Sequence, residues 1–201
     1  RTEAQRLNMT GTTHGSIENI DGQWYVFYHR LTHKSDYSRQ ACAEPIEIAA
    51  DGSIAQVEIT SCGLNGGPLE AEGAYPAVIA CNITNGNMPH GSNKIYTHSF
   101  PNVSNQGEDR FVAEVAHKTL LGFKYFRFSG VKALCIEYRG TAQGKCKIFQ
   151  VENGNQCGEI EIVPSKTWKM LTAEITFVDG ISPLFLLYEG EGMCDIKEIS
   201  F

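Results

Sequence analysis

Residues 13–48 read THGSIENIDGQWYVFYHRLTHKSDYSRQACAEPIEI. In QWYVFYHR β-branched and aromatic residues dominate, which is the signature of a strand. Asp21-Gly22 is a turn pair suited to a two-residue hairpin. The pattern predicts strands over 16–20, 23–30, 38–48 and 54–59, with tight turns at Asp21-Gly22 and Asp51-Gly52. Four consecutive antiparallel strands of this kind make one propeller blade. The stretch also carries an unusual density of imidazole and guanidinium groups: His14, His29, Arg30, His33 and Arg39. His29, Arg30 and His33 read as a solvated strand edge.

From Ser61 the texture changes. SCGLNGGPLEAEGAYP is rich in Gly and Pro and marks a boundary, dividing the chain into 1–62 and 63–201. Beyond it, strands are predicted at 94–100, 110–116, 123–128, 133–138, 145–151, 159–163, 169–177, 184–188 and 195–201, with no helical spacer. That succession fits a β-sandwich of jelly-roll type. The chain is therefore expected to be all-β: about one propeller blade followed by a sandwich. A single blade buries its faces only against neighbouring blades, so the first part is expected to continue a larger protein whose earlier blades precede it.

With 201 residues, 42% of them hydrophobic and 10% aromatic, the chain can build a packed core. A formal charge of −6 argues against nucleic acid or an anionic membrane surface as partner, since both favour a basic face. No apolar run reaches the roughly 20 residues of a spanning helix. Seven cysteines are scattered without a CxxC pair or zinc-like spacing, and several sit in apolar strand patterns such as ALCIEY, where a reduced thiol acts as a small hydrophobe. The triplets at Asn8, Asn82 and Asn102 fit the glycosylation acceptor pattern, which carries weight only in a glycosylating host.

THGSIENIDGQWYVFYHR followed by SRQACAEPIEIAADG, over roughly residues 8–60, resembles the last part of the five-bladed propeller of glycoside hydrolase family 43, which includes β-xylosidases, α-L-arabinofuranosidases and arabinanases. GPLEAEGAYPAVIACNI and the closing TWKMLTAEITFVDGISPLFLLYEGEGMCDIKEISF resemble a family 6 carbohydrate-binding module. The resemblance implies that His14, in His-Gly-Ser, helps hold a calcium ion or its water shell on the propeller axis, and that Arg39 lies in the sugar pocket, where a guanidinium can donate paired hydrogen bonds to vicinal hydroxyls. On residue type alone a lone His is more often structural, and the alternative for Arg39 is a surface or structural ion pair.

Inverting hydrolysis needs a carboxylate base and a carboxylic acid about 6.5–9.5 Å apart. In the family these come from earlier blades. Glu18, Asp21, Asp36, Glu44 and Glu47 occupy none of those positions, so no catalytic residue is assigned and these residues alone are expected to be inactive.

In the sandwich, Tyr125 and Trp168 are the candidates for stacking on a sugar face, against the alternative that both are core aromatics. Glu70, Glu72 and Asp195 match the structural calcium ligands of such modules, against the alternative of exposed carboxylates. Met193 and Cys194 stand where many modules carry an Asn, a departure from the usual sugar cleft. The expected ligand is a plant-type oligo- or polysaccharide, and the parent is expected outside the cytoplasm, extracellular or periplasmic. Two functions follow: part of a xylan- or arabinan-directed inverting glycosidase, with the sandwich targeting substrate or bracing the propeller, or a carbohydrate-binding or structural module without activity.

Overall fold

The first sheet forms because each hairpin is closed by a turn that only particular backbone conformations allow. In a computed structural model that describes residues 6–11, 14–91, 95–152 and 154–201, β1 (Ser16–Ile20), β2 (Gln23–Thr32) and β3 (Ser35–Ile46) lie in sequence order as an antiparallel sheet. The β1–β2 register runs to Ile20 opposite Gln23. The two residues between have positive φ, 51° at Asp21 and 89° at Gly22, as a type I′ turn requires. The Asn19 carboxamide accepts the Gly22 N–H at 3.1 Å.

The β2–β3 turn was not predicted. Thr32 pairs with Ser35, and His33 and Lys34 both take positive φ, 56° and 51°, a conformation neither residue type favours by itself. Contacts from distant residues hold it: the His33 N–H donates to Val103 O at 2.8 Å, its ring Nε2 meets Asn105 Oδ1 at 2.7 Å, and Lys34 pairs with Glu114 at 2.6 Å.

The predicted fourth strand is corrected. Ile48 bridges Ile54 across the Asp51-Gly52 turn, and the chain then leaves the sheet. Residues 55–60 are a strap whose polar groups bond to side chains and to the sandwich. The described part of the blade is thus three-stranded.

The sandwich comprises β4 (Leu69–Glu70), β5 (Ala74–Pro76), β6 (Asn82–Thr84), β7 (Asn102–Gln106), β8 (Asp109–Ala116), β9 (Leu120–Phe128), β10 (Ala133–Gly140), β11 (Gln143–Phe149), β12 (Gln156–Ile162), β13 (Ser165–Glu174), β14 (Gly180–Glu191) and β15 (Met193–Ser200). One sheet runs β13-β10-β15-β8-β7 with β5 on β15, and the other runs β12-β11-β14-β9-β4 with β6 on β9. Phe123, Phe126, Leu134, Ile136, Ile148, Leu184 and Ile199 are each fully buried between the sheets; alternation accounts for pairs such as Leu134 and Ile136, while a register shift opposite Ser182 and Leu184 lets both Phe123 and Phe126 face inward. The strand expected at 94–100 reduces to an Ile95–Ser35 bridge, and Lys94 lies outside the described residues. The β7 strand instead forms at NVSNQ, a polar run that pairs because β8 offers it an edge. All seven cysteines are free.

Candidate functional site

Side chains directly opposite in an antiparallel pair share a face, and alternate residues take opposite faces. The β2–β3 register therefore sorts the first sheet into two sets.

The first set holds Val26, Tyr28, Arg30, Gln40, Cys42 and Glu44. Arg30, predicted at a solvated edge, is 9% exposed. Its Nε donates to Gln40 Oε1 at 2.9 Å, and Nη1 to Asn8 Oδ1 at 3.1 Å. The remaining guanidinium bonds go to the carbonyls of Ala80 and Val78. Burial lowers its proton affinity. A buried guanidinium persists only where its donors are met, and here carbonyls and amides meet them. Because Val78 and Ala80 belong to the sandwich, this cation fastens the blade to it.

Glu44, 2% exposed, fastens the strap. Its Oε1 accepts from Tyr28 Oη at 2.9 Å and from the Thr60 N–H at 2.7 Å, while Oε2 accepts from the Thr60 hydroxyl at 2.6 Å. Burial, and then the Glu44 carboxylate, pushes the Tyr28 phenol above its ordinary range. The strap continues to Glu58, which accepts from Lys124 Nζ at 2.9 Å and Tyr125 Oη at 2.8 Å. Burial alone would raise the Glu58 pKa; these two donors outweigh it and hold the carboxyl below the usual carboxylate range.

The other set contains Phe27, His29, Leu31, Arg39, Ala41 and Ala43. His14 stacks on His29 with ring centroids 5.7 Å apart, and His29 Nε2 is buried without a hydrogen-bond partner among the described residues. Arg39 is exposed and is the diagonal neighbour of His29 across the pair, about 7–8 Å away. The structure thus brings His14, His29 and Arg39 onto one face. Such a wall can donate hydrogen bonds to hydroxyl groups. Glu18, which the register also puts here, lies opposite Tyr25, four residues from His29 and so about 13 Å along the strand. It has no facing carboxyl with which to split acid and base roles.

The two predicted stacking aromatics are placed differently. Tyr125 spends its hydroxyl on Glu58 of the strap. Trp168 lies on the outer face of its sheet, donating Nε1–H to Asp109 Oδ2 at 3.2 Å. The Arg139 guanidinium sits 4.4 Å from its ring centroid and Lys197 Nζ 5.5 Å away, while Phe111 packs at 5.5 Å. A ring face taken up by a cation is closed to a sugar.

The predicted calcium ligands of the sandwich do not converge. Glu70 pairs with Arg127 at 3.3 Å and Asp195 with Arg139 at 3.1 Å. The Phe201 N–H bonds to Gly73 O, next to Glu72, whereas Asp195 is six residues back along β15, about 20 Å away. Among the described residues, no three His, Cys, Asp or Glu side chains group as a metal site. Arg30, Glu44 and Glu58 were missed as functional because a period-two pattern cannot tell which face another segment will cover.

No family model matches the chain. It is 38% identical over 203 aligned residues to a xylosidase/arabinosidase of Thermoclostridium stercorarium, a match covering 94% of this chain and 42% of the relative. The chain thus spans less than half the length of that curated relative. Its fold is similar to an arabinoxylan arabinofuranohydrolase of glycoside hydrolase family 43 from Bacillus subtilis (TM-score 0.61, 16% identity, 100% of this chain and 43% of that one). It is also similar to a family 6 carbohydrate-binding module from Clostridium cellulolyticum (TM-score 0.55, 14% identity, 66% of this chain and 98% of that one).

Proposed function

Because the chain belongs with the family 43 glycoside hydrolases of the xylosidase/arabinosidase type, as a last-blade segment followed by a family 6 module-like sandwich, we propose that it is the C-terminal part of an enzyme hydrolysing O-glycosidic bonds in xylan- or arabinan-type plant polysaccharide. The observation that carries this reading is the 38% identity to a xylosidase/arabinosidase across 94% of the chain.

In this reading the intact enzyme works by single-step inversion, with its acid and base on earlier blades, in an extracellular setting. His14 and Arg39 form one wall of the sugar pocket, and the unpartnered His29 Nε2 lies on the same face, where a preceding blade would pack. The sandwich braces the blade through Arg30, Glu44 and Glu58, and takes plant oligosaccharide as ligand. Calcium stays a proposal for the axis beside His14 alone. Imidazole is a poor direct ligand for so hard a cation, so His14 would hold its water shell.

The test is hydrolysis of aryl β-xyloside and aryl α-L-arabinofuranoside by these 201 residues alone and by the same residues joined to the preceding propeller of a family member. Turnover is expected only in the joined form, and falls at least tenfold with Arg39→Ala. Turnover by the 201 residues alone, at verified intact mass, would overturn the assignment of acid and base to earlier blades; a joined form inactive on both substrates would overturn the substrate class.

A further inference from the structure

Beside the Arg30 junction lies a groove of about 680 Å3, a size typical of small-ligand sites. Its walls come from three parts of the chain: Leu7 and Thr10 before β1, Val57 and Ile59 of the strap, and Asn82 and Lys124 of the sandwich. Asn82 is only 2% exposed, its backbone pairs with β9, and it lines the groove. Its carboxamide bonds to no side chain or backbone group of the described residues, so the polar surface it keeps is solvated through the groove, and a ligand hydroxyl can take the place of that water.

The lining defines the chemistry of the guest. Lys124 and Glu58 neutralise each other across 2.9 Å, the Glu58 carboxylate repels a phosphate, and Arg6, which also lines the groove, is engaged with the Met88 carbonyl at 3.4 Å. Leu7, Val57 and Ile59 give an apolar flank, while Asn82, Thr10 and His90 give donors and acceptors. An apolar guest would leave Asn82 unmet. Apolar flank and neutral amides together suit a ring with C–H faces and hydroxyl edges.

We infer that this groove is a binding site for a neutral pentose unit of a xylo-oligosaccharide, separate from the wall formed by His14 and Arg39, and resting on the proposed substrate class. Since its walls belong to both strap and sandwich, an occupied groove clamps the blade in place, and ligand binding stabilises the junction by mass action.

The test is calorimetric titration of the 201-residue chain with xylotriose, alongside its melting temperature with and without the sugar. Binding is expected, with a rise in melting temperature, and Asn82→Ala should weaken it at least tenfold. Should Asn82→Ala fail to fold, Val57→Trp fills the groove from the strap without entering the core and should abolish binding. Binding that survives both variants but vanishes in Trp168→Ala overturns the groove and leaves a carbohydrate-binding sandwich standing. Absence of xylotriose binding at millimolar sugar also overturns the groove, and leaves the hydrolase reading to be decided by the turnover test.

Discussion

Arg30→Ala should release the blade from the sandwich. The substitution removes the donors that serve Gln40, Asn8, Ala80 and Val78 and leaves a void where a side chain 9% exposed had been. Each buried acceptor left unmet costs about 1–3 kcal/mol, and with several orphaned at once the loss should come to about 3–5 kcal/mol. At roughly 2–4 °C per kcal/mol for a chain of this size, the midpoint should fall by about 6–20 °C. The two tryptophans separate the parts: Trp24 lies on β2 and Trp168 on β13. In Arg30→Ala, thermal unfolding followed by Trp24 fluorescence in a Trp168→Phe background should shift by that amount, while the Trp168 signal in a Trp24→Phe background moves by a few degrees or less. Arg30→Lys, keeping the charge but losing the fork, should fall between. An Arg30→Ala shift below about 2 °C in the Trp24 signal, or an equal shift in both, would refute the view that this guanidinium is the fastener of one part to the other.

Three further outcomes are expected. Glu44→Ala removes the acceptor for Tyr28 and for both Thr60 groups; at about 1–3 kcal/mol for an orphaned buried partner, limited proteolysis should cut the 55–60 strap at least fivefold faster. Gly22→Ala meets nothing within 4 Å but must hold φ 89°, so it should cost about 1–2 kcal/mol from backbone strain alone, read as a lower urea midpoint with an unchanged slope. Burial pushes the Cys81 thiol up to about 11 and Cys146 up to about 12. The folded state therefore keeps these groups protonated where the unfolded chain ionises near 8.5, so stability should be level below that pH and fall as pH rises from there towards 12. Urea midpoints measured from pH 7 to 10.5 should show the decline, and Cys146→Ala should make it shallower while the other buried thiols keep part of it.

Much of the architecture was legible because it is local. The aromatic and β-branched run in QWYVFYHR and the Asp21-Gly22 pair place β1 and β2 with their turn, and short strand-forming runs such as ALCIEY place core strands of the sandwich. What escaped was set by distant partners. His33 and Lys34 form a turn that their residue types disfavour, held by Val103, Asn105 and Glu114. Residues 55–60 follow a strand-like run but leave the sheet, Thr60 bonding to Glu44 and Glu58 to Lys124 and Tyr125. Glu70, Glu72 and Asp195 are the right residue types for calcium, and the length of β15 keeps them apart.

The sequence by itself determined an all-β chain with a blade-like segment ahead of a sandwich, because strand-forming runs and turn pairs are local; the face shared by His14, His29 and Arg39 waited on the strand register. Only the tertiary structure decided which face would be covered. Arg30 reads as solvated from its neighbours in sequence, and becomes a buried fastener when segments 48 and 50 residues away bring the Val78 and Ala80 carbonyls to it. The groove beside it, lined by Asn82, exists for the same reason: three stretches distant in sequence meet there, and no local period encodes their meeting.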